Sequence, residues 1–247
     1  MRLTKHIHIV GSGESGLSLT NPFDCTVYLV DGGKQCALID AGVGVQPERI
    51  LEQIRQSGVD PCRVNKILLT HGHGDHAGGA WALSRLLNAR VYAMEPAARF
   101  IREGDVERLS LIQAIGAGVY EKGYQFHPCP VSPLEDEEEI RVGEIALRAV
   151  VSEGHSAGHC CYLTEDEGRR VLFAGDAVRC GGRIALQAIW DCNLQKYVDA
   201  LRRLNALRPD VLLPAHGAFA LERGYVHLEK ACRCLDALTL PPNAIGE

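Results

Sequence analysis

Four side chains that can bind a metal ion lie within six positions in the stretch ILLTHGHGDHAGGA, residues 67–80. They are His71, His73, Asp75 and His76. The run before them, residues 64–70, has the apolar composition of a buried strand. Imidazoles and a carboxylate next to the core are unfavourable unless they are paired, and a metal ion would pair them. The stretch therefore predicts a metal site at the end of a strand.

The composition indicates an ordinary globular protein and excludes several classes. The 247 residues, 46% of them hydrophobic, are enough to bury a core. A net charge of −5 argues against a broad phosphate-binding surface, so we expect no nucleic-acid partner. No stretch approaches the roughly 20 apolar residues of a spanning helix, and the N-terminal sequence lacks a signal-peptide pattern. We expect a cytoplasmic protein with no membrane partner, whose ten cysteines are free thiols.

Strand-like and helix-like segments alternate along the chain in two halves of similar style. Hairpins are predicted at 25–40, 139–151 and 160–176, and amphipathic helices at 47–58 and 193–210. Hairpins followed by helices, twice over, predict an α+β fold in which two β-sheets pack face to face with helices outside. We interpret residues 1–247 as one domain.

Individual side chains and the middle of the chain carry further expectations. The helix at 76–88 should pack through Trp81, Leu83, Leu86 and Leu87, and Leu194 should share the buried face of the helix at 193–210. Residues 96–123 have approximate helical spacing, and the Pro- and acid-rich residues 129–139 are interpreted as a solvated loop.

More polar groups recur in the same context as the first cluster, just after a predicted strand. They are His155, Asp176 and His216, with His159 close to His155. In stacked sheets such strand ends can converge on one rim. Neutral imidazoles and carboxylates suit Zn²⁺, and also Fe or Mn. An Asp between two ions can bridge them, so the pattern is typical of a site for two divalent metal ions.

The motifs THGHGDH, GHSAGH, AGDA and PAHG, in this order, resemble those of the metallo-β-lactamase superfamily of metal-dependent hydrolases. YLVDGGKQCALIDAG resembles the opening hairpin of that superfamily and ends at Asp40. The resemblance implies a four-layer αββα sandwich of two mixed sheets. It implies two divalent metal ions, most often Zn²⁺. The implied ligands are His71, His73 and His155 for one ion, Asp75, His76 and His216 for the other, and Asp176 as the bridge. Asp40 and His159 would support these ligands from outside.

The resemblance also implies an activity, the hydrolysis of an ester, thioester or lactone by a hydroxide held between the ions, with Asp75 orienting the nucleophile and relaying a proton. The alternative is a mononuclear-iron sulfur dioxygenase of the same superfamily acting on a persulfide. Both readings imply a small-molecule substrate, and a helical substrate-facing segment at about 96–135. A homodimer is left open.

Comparison with branches of the superfamily narrows the substrate only partly. Zinc β-lactamases lack an Asp at the position of Asp176, and flavin-partnered members place a Glu where this chain has His73. Only Arg179 and Arg183 are basic in the segment after Asp176, which is unlike glutathione thioesterases. Lactonases place a Tyr at the position of Arg179. In this chain Arg179 either binds the substrate or is solvated. Four other histidines are expected to be solvated: His6, His8, His127 and His227.

Overall fold

The computed structural model describes residues 1–121 and 123–245, and two β-sheets form its centre. Within these residues the first sheet has six strands: β1 Ile7–Gly11, β2 Val27–Asp31, β3 Cys36–Ile39, β4 Val64–Leu68, β5 Arg90–Met94 and β6 Val131–Leu134. The second, within the same ranges, has five: β7 Glu139–Val142, β8 Ile145–Val151, β9 Cys160–Asp166, β10 Arg169–Gly175 and β11 Val211–Pro214. All three predicted hairpins are present.

Both sheets are mixed. In the first, β1, β2 and β3 pair antiparallel, and β3 to β6 pair parallel in sequence order. In the second, β7 to β10 pair antiparallel, and β11 joins β10 in parallel. Each half thus starts with hairpins and ends with parallel strands. The carboxyl ends of β4, β8, β10 and β11 provide the loops from which the predicted ligands project.

Helices cover the outer faces of the sheets, and the described part of the chain contains seven α-helices and one 3-10 helix, Pro61–Arg63. The α-helices are α1 Pro47–Gln56, α2 Gly74–Ala77, α3 Ala80–Leu87, α4 Ala97–Glu103, α5 Leu111–Gly116, α6 Leu194–Ala206 and α7 Tyr225–Asp236. α1, α3 and α4 pack on the first sheet, and α6 and α7 on the second. Among the described residues, no helix combines the length and the apolar character that crossing a bilayer requires.

Three layers of apolar side chains hold the sandwich together. Alternate residues of each strand face opposite sides, so Tyr28 and Val30 lie between the sheets while Leu29 faces the helices. Because both faces of each sheet are covered, the central strands are apolar throughout rather than alternating. Tyr162 of β9 donates a hydrogen bond to the carbonyl of Leu69 at 2.8 Å, which joins the two sheets near the ligand loops. The predicted four-layer α+β fold is confirmed.

Several local predictions were wrong. Residues 131–134 form strand β6 rather than a solvated loop, and Pro133 is tolerated because β6 is an edge strand. The helical segment after residue 96 is two short helices, because Gly104 adopts a left-handed conformation that ends α4. Part of the predicted segment, residue 122, lies outside the described residues, as do residues 246–247 of the predicted domain.

Three side chains assigned to packing faces are largely exposed. They are Trp81, Leu86 and Leu194. Leu194 is the first residue of α6, where Asn193 accepts the backbone N–H of Lys196 as the helix cap, and the buried face begins at Tyr197. α3 buries only a narrow stripe that includes Leu83 and Leu87. The apolar spacing located the helices correctly but overestimated the width of their buried faces.

Candidate metal centre

The predicted ligands converge at one edge of the sandwich. His71 and His73 follow β4, and Asp75 and His76 lie in the short helix α2 directly after them. The remaining three come from the second sheet: His155 follows β8, Asp176 follows β10 and His216 follows β11. Both sheets therefore contribute side chains to one site.

His71, His73 and His155 form the first group, with ligand atoms all within 4.8 Å of one another. Nδ1 of His73 lies 3.0 Å from Nε2 of His71 and 3.1 Å from Nε2 of His155. One shared proton can satisfy only two of these three nitrogens. A cation between them would satisfy all three lone pairs at once.

Asp75, His76 and His216 form the second group, again with ligand atoms within 4.8 Å. Nε2 of His216 lies 3.2 Å from Oδ2 of Asp75, and Nε2 of His76 lies 3.5 Å from the same oxygen. Asp176 lies between the two groups. Its Oδ1 is 3.4 Å from Nε2 of His216, and its Oδ2 is 3.8 Å from Nε2 of His155.

Hydrogen bonds on the far side of the rings decide which nitrogens can bind a cation. Nδ1 of His155 lies 2.8 Å from the carbonyl of Ala185, and Nδ1 of His76 lies 2.9 Å from Oδ2 of Asp40. A carbonyl and a carboxylate only accept, so both Nδ1 atoms carry protons. In the neutral ring this leaves the lone pair on Nε2, which faces the site. Such outer partners are typical of metal-binding histidines.

Buried polar atoms without partners show that these residues fit a metal. Nε2 of His76 and Oδ1 of Asp176 are buried and have no hydrogen-bond partner among the described residues. Leaving such atoms unpaired is costly. Burial and the neighbouring histidines lower the pKa of His71 well below its usual value, which keeps that ring neutral and able to bind a cation. The donor set of imidazoles and carboxylates suits Zn²⁺, Fe or Mn.

Asp40 and His159 lie just outside the two ligand groups. Oδ1 of Asp40 accepts the backbone N–H of Thr70 at 2.7 Å, while its Oδ2 accepts from His76. Both ring nitrogens of His159 are occupied, because Nε2 accepts the backbone N–H of Asp176 at 3.1 Å and Nδ1 lies 2.9 Å from Oγ of Ser152. Asp40 thus orients one predicted ligand, and His159 holds the backbone of another.

Close packing behind the site requires glycine at position 175. Gly175 has a φ of +50°, and a Cβ there would lie 2.7 Å from Nε2 of His159 and 3.0 Å from Cβ of Thr70. Both the left-handed backbone and the lack of space exclude a side chain. The AGD sequence therefore lets β10 turn sharply and places Asp176 against His159.

Sequence reasoning missed three polar contacts of the site. The hydroxyl of Tyr120 donates to Oδ1 of Asp75 at 2.8 Å, and Oγ of Ser15 lies 2.8 Å from Nδ1 of His216. Oγ1 of Thr70 lies 3.0 Å from Nδ1 of His71. Thr70 precedes the cluster and could have been chosen from its position. Tyr120 and Ser15 are distant in sequence from their partners, and no local pattern marks them.

Cys25 is a further neighbour that the sequence did not indicate. Its Sγ, a carboxylate oxygen of Asp40 and a ring nitrogen of His76 lie within 4.8 Å of one another. Burial raises the pKa of Cys25 to about 12, so it is a neutral thiol. Oδ2 of Asp40 is already hydrogen-bonded to Nδ1 of His76. This oxygen is therefore not free to bind a metal ion together with Cys25.

A cavity of about 560 Å³ opens beside the two ligand groups. Leu109, Val119, Phe23 and Ile189 give it an apolar wall, while His73, Asp75, Asp176 and His216 line its polar end. Arg179 also lines the cavity, with Nη2 3.5 Å from Oδ2 of Asp176. Its Nε is buried without a hydrogen-bond partner among the described residues. Arg179 is therefore mostly buried at the site rather than freely solvated.

The four histidines expected to be solvated are not alike. His127 is exposed, but its ring lies 4.9 Å from that of Trp81. His8 is 6% exposed, Nδ1 of His6 lies 2.6 Å from Oδ1 of Asp166, and Nδ1 of His227 accepts the backbone N–H of Gly181 at 3.0 Å. The solvated interpretation was wrong for these three, because each has tertiary neighbours that its local sequence does not reveal.

The family sequence profile described as the metallo-beta-lactamase superfamily matches residues 20–216. The chain belongs to the metallo-beta-lactamase superfamily. Solved structures of the superfamily have the same fold. A family protein from Thermus thermophilus is 26% identical with a TM-score of 0.71, covering 94% of this chain and 80% of that one. A subclass B3 enzyme of Bradyrhizobium japonicum, at 20% identity, has a TM-score of 0.72 and coverage of 96% and 92%, which shows the fold alone.

Curated relatives within the superfamily include thioesterases. An atrochrysone carboxyl ACP thioesterase from Aspergillus fumigatus is 30% identical over 194 residues, which cover 77% of this chain and 37% of that protein. One from Emericella nidulans is 29% identical over 196 residues, covering 77% of this chain and 50% of that protein. The chain thus spans half or less of the length of these relatives.

Proposed function

We propose that the protein is a dinuclear metal-dependent hydrolase that cleaves thioesters. The observation that carries the proposal is the pair of ligand groups on either side of Asp176. In this proposal His71, His73 and His155 would hold one divalent ion. Asp75, His76 and His216 would hold the other, and Asp176 would be a ligand of both. Zn²⁺ is the preferred metal for this donor set, with Fe or Mn as alternatives.

The metal ions, when bound, would supply Lewis acidity and lower the pKa of a water molecule toward neutrality. The chain's own groups do the rest. Asp75 lines the cavity, with its Oδ2 3.2 Å from Nε2 of His216, and its carboxylate can orient a nucleophilic water and carry a proton to the leaving group. The apolar wall excludes bulk water from the substrate, which strengthens each polar contact made there.

The cavity supports a substrate with a bulky apolar acyl group and one polar or anionic handle. Its wall is mainly aliphatic and aromatic, and Arg179 offers guanidinium donors next to Asp176. A carbonyl or carboxylate of the substrate could accept a hydrogen bond from the part of the Arg179 guanidinium that lines the cavity. Relatives named as thioesterases favour the thioester over the ester and the lactone.

The test combines metal analysis with a substrate panel. Purified without added metal, the protein should contain close to two equivalents of Zn, Mn or Fe and should hydrolyse acyl thioesters faster than matched esters and lactones. The variant Arg179→Ala should raise KM more for acyl groups that carry a carboxylate than for plain acyl groups. One iron per chain, with oxygen uptake on a persulfide, would instead indicate the sulfur dioxygenase.

The proposed setting is the cytoplasm. All ten cysteines are free thiols, and most of them are buried. A reducing compartment keeps such thiols reduced, and burial protects them from oxidation. Secretion of the intact protein would contradict this assignment.

A further inference from the structure

Tyr120 reaches the candidate site from outside the ligand loops, and its hydroxyl makes two polar contacts with one residue. The hydroxyl donates to Oδ1 of Asp75 at 2.8 Å and accepts the backbone N–H of Asp75 at 3.0 Å. That N–H lies at the start of α2, where helix N–H groups have no partner within the helix. The side chain is 6% exposed, so neither contact competes with bulk water. The hydroxyl therefore fixes the backbone and the carboxylate of Asp75 together.

The contact gives the two carboxylate oxygens of Asp75 different surroundings. Oδ1 is held by Tyr120, whereas Oδ2 lies 3.2 Å from Nε2 of His216. The terminal torsion of an aspartate is otherwise broad and two-fold, so nothing local would choose between the oxygens. An outer hydrogen bond that selects one orientation removes the entropy cost of ordering that group when a metal binds.

The ring of Tyr120 also belongs to the cavity. It lines the wall beside Asp75 and meets Phe23 edge-on, with ring centroids 6.4 Å apart. The same side chain thus touches the space proposed for the acyl group and the carboxylate proposed to handle the proton.

We propose that Tyr120 is the positioning residue of the site, holding Asp75 so that Oδ2 faces His216 in the second ligand group. This inference rests on the proposed function. Tyr120 acts through Asp75 and takes no part in bond making. It also gives the segment between the two halves of the chain a defined role, since this tyrosine supports a ligand that lies 45 residues earlier.

Tyr124 provides a matched control. Its ring lies 5.0 Å from that of Tyr120 at an interplanar angle of 32°, in the same surroundings. Its hydroxyl donates to the carbonyl of Val43 at 2.9 Å and lies 3.4 Å from that of Gly74. Removing this hydroxyl disturbs the same segment but leaves both hydrogen bonds between Tyr120 and Asp75 in place.

The experiment compares Tyr120→Phe with Tyr124→Phe and the unsubstituted protein. After chelation, each is titrated with Zn²⁺ by calorimetry, and the absorption spectrum with Co²⁺ reports the coordination of the bound ion. Tyr120→Phe should weaken one of two Zn²⁺ affinities by about tenfold or more, change the Co²⁺ spectrum, and lower kcat on a thioester with little change in KM. Tyr124→Phe should match the unsubstituted protein in all of these. Thermal unfolding of the metal-free forms checks that both variants fold.

The outcomes separate this inference from the proposed function. If the unsubstituted protein binds two ions and hydrolyses thioesters while Tyr120→Phe binds both ions unchanged, only the role of Tyr120 is overturned. An equal loss in both variants would indicate a general loosening of the segment and would also overturn it. If the unsubstituted protein binds no metal, the proposed function and this inference fail together.

Discussion

Single residues around the candidate site fix the proton positions and orientations of neighbouring side chains. Nδ1 of His76 is committed to Asp40, which leaves only Nε2 for a metal. His159 is committed at both nitrogens, to Ser152 and to the backbone of Asp176. The proposed ligand set therefore depends on neighbouring residues outside it, which fix the positions of protons and the orientations of rings. Gly175 has a comparable role, because the absence of a side chain there leaves room for the ring of His159.

The requirement at Gly175 can be tested against a glycine with a similar backbone but open surroundings. Gly175→Ala should destabilise the protein by about 2–4 kcal/mol, since it adds a clash with His159 and Thr70 to the left-handed strain. Gly168 in the turn between β9 and β10 has a φ of +73° and no atom within 4 Å of a Cβ. Gly168→Ala should cost only about 1 kcal/mol. Urea unfolding of both variants measures the difference, and equal losses would contradict the steric argument.

At the scale of elements, periodicity and turn signals predicted the strands and helices with the most regular patterns. The hairpins at 139–151 and 160–176 appear in the structure as the pairs β7–β8 and β9–β10, because strand-forming composition and a glycine turn are both local properties. β6 was missed because its identity depends on pairing with β5, which local composition does not encode. Tyr120 was missed for the same reason. The packing of a distant segment brings it near Asp75, so only the tertiary structure reveals the pair.

The N-terminal segment is attached to the β9–β10 hairpin through a buried carboxylate. Asp166 accepts from the hydroxyl of Thr4 and from the backbone N–H of His6 at 3.3 Å, and its Oδ1 lies 2.6 Å from Nδ1 of His6. Burial alone would raise the pKa of Asp166, but the hydrogen bonds from Thr4 and His6 outweigh it and hold the pKa below its usual value.

Asp166→Asn should therefore lower the free energy of unfolding at neutral pH by about 1–3 kcal/mol. Hydrogen bonds lower the pKa of Asp166 in the folded state. The stability that this gives is present above the unfolded pKa, about 3.9, and is lost as the pH falls through the folded pKa. The gap between the two proteins should thus shrink below about pH 4. Glu165→Gln, at the exposed neighbouring position, should be neutral. A gap that stays constant with pH in denaturant titrations would argue against this account.

At the scale of the molecule, the candidate site joins the two sheets. His71 and His73 follow a strand of the first sheet, while His155 follows a strand of the second. An ion held by all three would cross-link the halves of the sandwich at the edge where Tyr162 already reaches Leu69. The family motifs predicted which side chains meet, and the alternation of hairpins and helices predicted two sheets. Neither could give the cavity wall, because it is built from loops whose packing no periodic pattern specifies.

Metal binding should consequently stabilise the whole protein rather than one loop. Adding Zn²⁺ to chelator-treated protein should raise the midpoint of thermal unfolding as a single transition, by the equivalent of about 2.7 kcal/mol at a hundred times Kd. Mg²⁺ at the same concentration should have little effect, because it prefers an all-oxygen octahedral shell. A Zn²⁺-independent midpoint would contradict the proposed centre.

The order in which the chain is synthesised has a consequence for when the protein can become active. The first predicted ligand is His71 and the last is His216, so after His71 the ribosome must add 145 residues up to and including His216. At roughly 5–20 residues per second this takes about 7–29 seconds, during which the early histidines are present without their partners. The proposed ligand set is therefore complete only late in translation, and a product that ends before residue 216 lacks His216 of the second ligand group.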